Sequence, residues 1–401
     1  MRSPSPKSAI LILDGASDQP QAALDGLTPL QAAKKPALDQ LAREGICGLA
    51  RMVPPDLTPG SVPAVLSILG YDPLQFNTGR APLEAAAMEI PLNPEDVAFR
   101  CNLVSSDGER LLDYSGGEVS TEEAQTLIAL VNERLGGRSI QFYPGISYRH
   151  LMIWRGGSPE VKLIPPHDIQ GQPLKAHLPA GDGEQKLRSF IYDSLEILDG
   201  HEINHRRREQ GKLPANMVWF WDQGRPLSLP SFPLRWGVTG AVIAAVDLVR
   251  GIGKCAGLTV IPVPGATGNL KTDFAAKGRA AVQALDRYDF VLVHIEAPDE
   301  ASHQGDLAGK IWAIEQIDEH IAAPLAHRLA AAPSSGPPGR LLALADHETR
   351  LSLRTHTREP VPFALSWPNP DEAEAFDEVN AAATGRRLEE GHRLIELFFE
   401  R

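Results

Sequence analysis

A chain of 401 residues is long enough for two or more domains and at least one large core, and a content of 43% hydrophobic and 22% charged residues is that of an ordinary globular protein. The formal net charge of -12 excludes non-specific nucleic-acid binding through a basic face, and the isolated Arg206-Arg207-Arg208 run reads as a solvated helix face. Three cysteines, Cys47, Cys101 and Cys255, make neither a disulfide framework nor a close metal pair, and no segment reaches membrane-spanning length, so a reducing, cytoplasmic location away from membranes is expected.

In chain order, the apolar run Ala9 to Leu13 is too short for a signal segment and ends in Asp14-Gly15. It predicts a strand buried on both faces of a parallel sheet, with Asp14 at its carboxyl end. Pro59-Gly60-Ser61 then precedes Val62 to Leu69, which has the form of a helix opening, with Pro63 tolerated in the first turn. Residues 97–235 have shorter apolar segments and many Gly and Pro, and read as a smaller domain inserted between residues 1–96 and 236–401. Phe290 to His294 repeats the apolar strand pattern and leads to Glu296-Ala297-Pro298-Asp299, with His303 four residues further on, one helical turn away. Ile311, Ile314, Ile317, Ile321 and Leu325 recur with helical spacing, and residues 331–339 read as a surface connection. A third strand, Leu341 to Ala345, leads to Asp346-His347, and His356 follows.

Doubly wound α/β sheets bind ligands beyond the carboxyl ends of their strands, so three such ends can converge on one pocket although they are far apart in sequence. Asp14, Ser61, Asp299, His303, Asp346, His347 and His356 are then possible ligands for two divalent cations around a serine nucleophile. Mixed carboxylate, imidazole and hydroxyl donors suit Mn2+, Zn2+, Co2+ or Mg2+. A serine at a helix start has backbone N–H groups to steady an incoming phosphate, and a divalent cation would assist its ionisation. The plainer readings are a helix-capping serine, a surface Asp–His pair and a structural histidine; the joint occurrence of all seven after strand-like runs favours the site.

These residues, in this order, resemble the alkaline phosphatase superfamily and, within it, the archaeal type of 2,3-bisphosphoglycerate-independent phosphoglycerate mutases. The likeness runs along nearly the whole chain. It includes Leu69-Gly70-Tyr71-Asp72-Pro73, Gly79-Arg80-Ala81-Pro82-Leu83-Glu84-Ala85, Asp96-Val97-Ala98-Phe99-Arg100-Cys101-Asn102, Tyr148-Arg149-His150, Pro166-His167-Asp168-Ile169 and Glu296-Ala297-Pro298-Asp299-Glu300. The resemblance implies an alkaline-phosphatase-like α/β core with an inserted substrate-binding domain that closes over it. It implies one ion on Asp14, Ser61, Asp346 and His347 and another on Asp299, His303 and His356, with Mn2+ the first choice. Ser61 would take the phosphoryl group of 3-phosphoglycerate and return it to the 2-hydroxyl, a step of glycolysis and gluconeogenesis. Arg80, Arg100, Asn102 and Arg149 are candidate substrate contacts and His150 a candidate proton carrier.

The chain departs from the family pattern at Val62, Pro63 and Val65, where polar residues are usual beside the serine, and at Glu118, where a basic residue is usual. Asp113-Tyr114-Ser115 and Glu84-Ala85-Ala86-Ala87-Met88 look like a bacterial branch proposed to include homoserine kinases, although no Walker-type loop is present. A related phosphotransferase and a non-catalytic metal- or phosphometabolite-binding descendant are therefore the alternatives. The sequence leaves the oligomeric state open.

Overall fold

The computed structural model describes residues 6–331 and 339–400; most of the expected surface connection, residues 332–338, lies outside them. The fold is mixed α/β, and the chain divides into two units, Met1–Asn77 with Ser228–Arg401, and Thr78–Leu227.

The first unit is built on an eight-stranded sheet whose central strands are the three apolar runs. Ser8–Leu13 lies between Phe290–Ile295 and Arg340–Leu344, parallel to both. All residues of the first two are buried, as expected for a parallel sheet covered on both faces. Gly240–Ile243 and Thr259–Val260 extend the parallel side, while Val361–Leu365 and Ile46–Ala50 add antiparallel neighbours on the other. The isoleucine-spaced segment forms Leu307–Ile317, a short π-helical turn, and Ala323–Ala330, with Ile314, Ile317, Ile321 and Leu325 buried.

Strand register sets out the chemistry. Ile12 pairs with His294 on one side and with Leu344 on the other. Two residues further along each chain, on the same face, stand Asp14, Glu296 and Asp346, so three adjacent strand ends bring carboxylates to one level.

The second unit is an antiparallel sheet centred on Val97–Ser106, flanked by Arg149–Trp154 and Met217–Gly224. The helices Thr121–Leu135 and Glu184–Leu198 cover one face, and Arg80–Ala87 packs on the other. Its limits differ from the expected 97–235: Ala81 and Ala85 join Ala98, Leu151 and Ile153 in one apolar cluster, which draws residues 78–96 into this unit. The arginine run is also corrected. Arg207, on the helix Glu202–Glu209, is 1% exposed, pairs with Glu123 and donates to the carbonyls of Gly116, Gly117 and Leu213. Helical rotation turns it inward, where a fork of five donors can satisfy several carbonyls. Among the described residues, no helix is long and apolar enough to cross a membrane.

Candidate active site

The seven expected ligands all belong to the first unit, and local geometry explains how each arrives. Asp14 and Asp346 end neighbouring strands, and the Asp346 carboxylate is aimed by the N–H groups of Gly15 and His347, at 3.1 and 2.9 Å. Asp299 and His303 lie one turn apart on the helix Ala297–Gln304, His303 Nε2 standing 3.1 Å from Asp299 Oδ2. His356 arrives through a tight hairpin in which it pairs with Thr349, and its Nε2 is 3.4 Å from Asp299 Oδ1. Ser61 is the first residue of the helix Ser61–Ile68 and Gly60 is its cap, which removes the capping reading of the serine. Its Oγ stands 3.4 Å from His347 Nε2.

Two donor groups result, Asp14 with Asp346 and His347, and Asp299 with His303 and His356; within each, donor atoms lie within 4.8 Å of one another. Hydrogen bonding sets two of the three imidazoles, His303 and His347, to offer Nε2. The Arg354 carbonyl holds Nδ1 of His303 at 2.9 Å, and the Thr349 hydroxyl holds Nδ1 of His347 at 3.0 Å. A proton retained on Nδ1 leaves the Nε2 lone pair for a cation. His303 Nε2 and His356 Nε2 face each other at 3.0 Å, a distance that a shared proton or cation must bridge.

The crowding of buried carboxylates favours added positive charge. Burial, with Asp346, Asp299 and Glu296 beside it, raises the Asp14 carboxyl well above its ordinary value. Burial also works against ionisation of Asp299, yet hydrogen bonds from His303 and His356 hold it well below the usual range. Its bond to Asp299 lifts His303 to about 9, whereas burial pushes His347 down. Both oxygens of Asp14 and Oδ2 of Asp346 are buried without a hydrogen-bond partner. Buried orphan carboxylate oxygens are costly unless a cation satisfies them, so these donor sets fit divalent metal ions.

Three neighbours were not singled out from sequence. Glu296 forms a further acidic group with Asp14 and Asp299; burial and Asp299 push it up to about 8, while Lys277 opposes the shift. His294 is buried with both ring nitrogens unpartnered, and its Nε2 lies 3.1 Å from Asp14 Oδ2 without hydrogen-bond geometry. Burial lowers it to about 4, so this contact is not an ion pair at neutral pH. Thr349 donates to Asp299 Oδ1 at 2.6 Å. Alternation along the strand Phe290–Ile295 and just past its end marks His294 and Glu296; no local pattern marks Thr349, which depends on the hairpin.

The expected substrate contacts belong to the second unit, where Arg100, Asn102 and Arg149 share a sheet face. Arg100 is buried, bound by both oxygens of Glu84 at 3.1 and 3.2 Å, and lies 4.1 Å from the Trp221 ring centre. The Trp221 indole N–H donates to Asn102 Oδ1 at 2.9 Å. Arg80 is more exposed, with Asp222 at 3.7 Å, and Arg149 lies over Tyr148. His150 does not join them. Next to Arg149 on its strand, it points to the opposite, helix-covered face, where it is 3% exposed and accepts from the Gly145 N–H.

A profile of the 2,3-bisphosphoglycerate-independent phosphoglycerate mutase family matches residues 42–204. A protein of that name from Methanothrix thermoacetophila is 47% identical over 98% of this chain and 99% of its own. One from Geobacter sulfurreducens, described as a probable member, is 46% identical over 98% of this chain and all of its own. Among solved structures, the cofactor-independent phosphoglycerate mutase from Thermoplasma acidophilum superposes with a TM-score of 0.69 at 26% identity, covering 98% of this chain and 99% of that one. A protein from Pyrococcus horikoshii superposes with a TM-score of 0.83 at 28% identity, covering 99% and 97%. The fold and its strand-end donor groups thus define an α/β enzyme whose donors suit divalent metals. The chain belongs to the 2,3-bisphosphoglycerate-independent phosphoglycerate mutases, which are isomerases.

Proposed function

We propose that this chain interconverts 3-phosphoglycerate and 2-phosphoglycerate without bisphosphoglycerate, through a phosphoserine at Ser61. The observation that carries this reading is the place of Ser61, at a helix start, with its Oγ 3.4 Å from a histidine of one donor group. Asp14, Ser61, Asp346 and His347 would hold one divalent cation, and Asp299, His303 and His356 a second, with Mn2+ favoured and Mg2+, Zn2+ or Co2+ as substitutes. When bound, such cations supply positive charge that favours ionised serine and offsets phosphoryl charge.

Ser61 Oγ attacks the phosphorus of 3-phosphoglycerate, and the bond from phosphorus to the glycerate 3-oxygen breaks. The released 3-hydroxyl gains a proton. The 2-hydroxyl gives up a proton as it takes the phosphoryl group back, the bond from phosphorus to Ser61 Oγ breaks and Ser61 returns to its starting protonation state, so the exchange is proton-neutral. Backbone N–H groups at the start of Ser61–Ile68 favour the anionic group being transferred. Arg100, held by Glu84 against Trp221, suits the substrate carboxylate, and Arg80 and Arg149 suit its other anionic oxygens. The buried setting of His150 supports a structural part for it in the second unit.

The test supplies Mn2+-loaded protein with 3-phosphoglycerate, or with homoserine and ATP. Formation of 2-phosphoglycerate without added bisphosphoglycerate is expected. Phosphorylated homoserine with no mutase turnover refutes the reading, as does inactivity toward both.

A further inference from the structure

The two donor groups are joined by one side chain. His347 Nδ1 lies 3.0 Å from Thr349 Oγ1, and Thr349 Oγ1 donates to Asp299 Oδ1 at 2.6 Å. A carboxylate oxygen can only accept, so the single hydroxyl proton is committed to Asp299. The hydroxyl must then accept from His347, which keeps the imidazole proton on Nδ1 and the lone pair on Nε2. We propose that Thr349 is a positioning residue that couples the two metal-ligand groups, fixing the tautomer of His347 in one and the orientation of the Asp299 carboxylate in the other. The proposal rests on the metal-binding reading above.

The rest of Thr349 is held as firmly as its hydroxyl. Its N–H donates to the Ser17 carbonyl at 3.2 Å, and its own carbonyl accepts from the buried Lys310 ammonium at 2.9 Å. Lys310 is in turn held 2.8 Å from the buried Asp18 carboxylate, whose Oδ2 also accepts from the Leu351 N–H. The backbone opposite has been cleared for the hydroxyl. Gly15 has φ +63°, and a Cβ there would stand 2.7 Å from Thr349 Oγ1 and 2.6 Å from Asp299 Oδ1. Any other residue following Asp14 would push into this bridge. A hydroxyl whose residue is pinned through both its own N–H and its own carbonyl can orient ligands that belong to separate segments, and partners of this kind set the affinity of a metal site.

Thr349→Val keeps the shape and removes the hydroxyl; Thr349→Ser keeps the hydroxyl. Mn2+ affinity is measured by competition with a chromophoric chelator, alongside the melting temperature of chelator-treated protein as a check of folding. The Val variant should bind Mn2+ about 10- to 100-fold more weakly than the parent, and the Ser variant should remain within about 3-fold of it. Thr349→Ala replaces the Val variant if that one does not fold. Affinity of the Val variant within about 3-fold of the parent overturns the proposal, and so does equal weakness of the Val and Ser variants, which would assign the effect to packing. If the parent chain itself binds no divalent cation, the metal-binding reading fails instead.

Discussion

Ser61 Oγ and His347 Nε2 stand 3.4 Å apart although 286 residues separate them in the chain. The helix start and the strand end that carry them leave the serine oxygen beside the first donor group, while His347 is turned toward it by Thr349. Ser61→Ala should therefore abolish mutase turnover, by at least about 10⁴-fold, the scale seen when an enzyme loses its nucleophile. The helix cap belongs to Gly60, so the melting temperature of the chelated protein should not change. Residual turnover within about 10-fold of the parent, followed by conversion of 3-phosphoglycerate, would remove Ser61 as nucleophile.

Orphan oxygens on Asp14 and Asp346 predict that the first unit leans on bound cations for stability. A ligand present at about 100 times its Kd adds about 2.7 kcal/mol to the state that binds it, equivalent to roughly 5–10 °C in a domain of this size. Treatment with a chelator should lower the melting temperature by that order, and Mn2+ should restore it. A melting temperature indifferent to both treatments contradicts a formed metal centre.

The central sheet was legible because parallel strands buried on both faces leave uninterrupted apolar runs, and the residues just past Leu13, Ile295 and Leu344 must then meet at one edge. The Asp299 and His303 pair was legible from helical spacing alone. The limits of the inserted unit were not, because the helix Arg80–Ala87 joins it through a packing choice, Ala81 and Ala85 against Ala98 and Leu151, that has no local signature. Arg207 and Thr349 were missed for a related reason: their value lies in carbonyls and carboxylates brought by distant segments. The opposite facing of Arg149 and His150, by contrast, follows from strand alternation once that segment is seen as a strand.

Glu84 grips Arg100 through both carboxylate oxygens, and Trp221 lies under the guanidinium. If Arg100 binds the substrate carboxylate, Glu84→Gln should loosen its orientation. A weakened charged hydrogen bond of about 1.4 kcal/mol corresponds to a roughly 10-fold rise in KM for 3-phosphoglycerate. The change should be concentrated in KM with kcat reduced less, and Arg100→Lys, which loses the planar fork, should show the same split. Steady-state kinetics in which KM is untouched in both variants would remove Arg100 from the substrate contacts.

His150 gives a pH prediction that belongs to the second unit. Burial pushes it down to about 3, so in the folded protein it stays neutral where an exposed histidine would take up a proton near its ordinary 6.5. Between these values the unfolded chain binds more protons, so stability is full above about pH 6.5 and falls as the pH drops toward 3. At pH 5 the histidine should account for about 2 kcal/mol of lost stability. His150→Asn cannot titrate and can still accept from the Gly145 N–H with its amide oxygen. Urea unfolding at pH 7.5 and pH 5.0 should show the variant losing about 2 kcal/mol less than the parent over this interval. Equal losses in the two proteins would mean that the acid sensitivity of this unit arises from other groups.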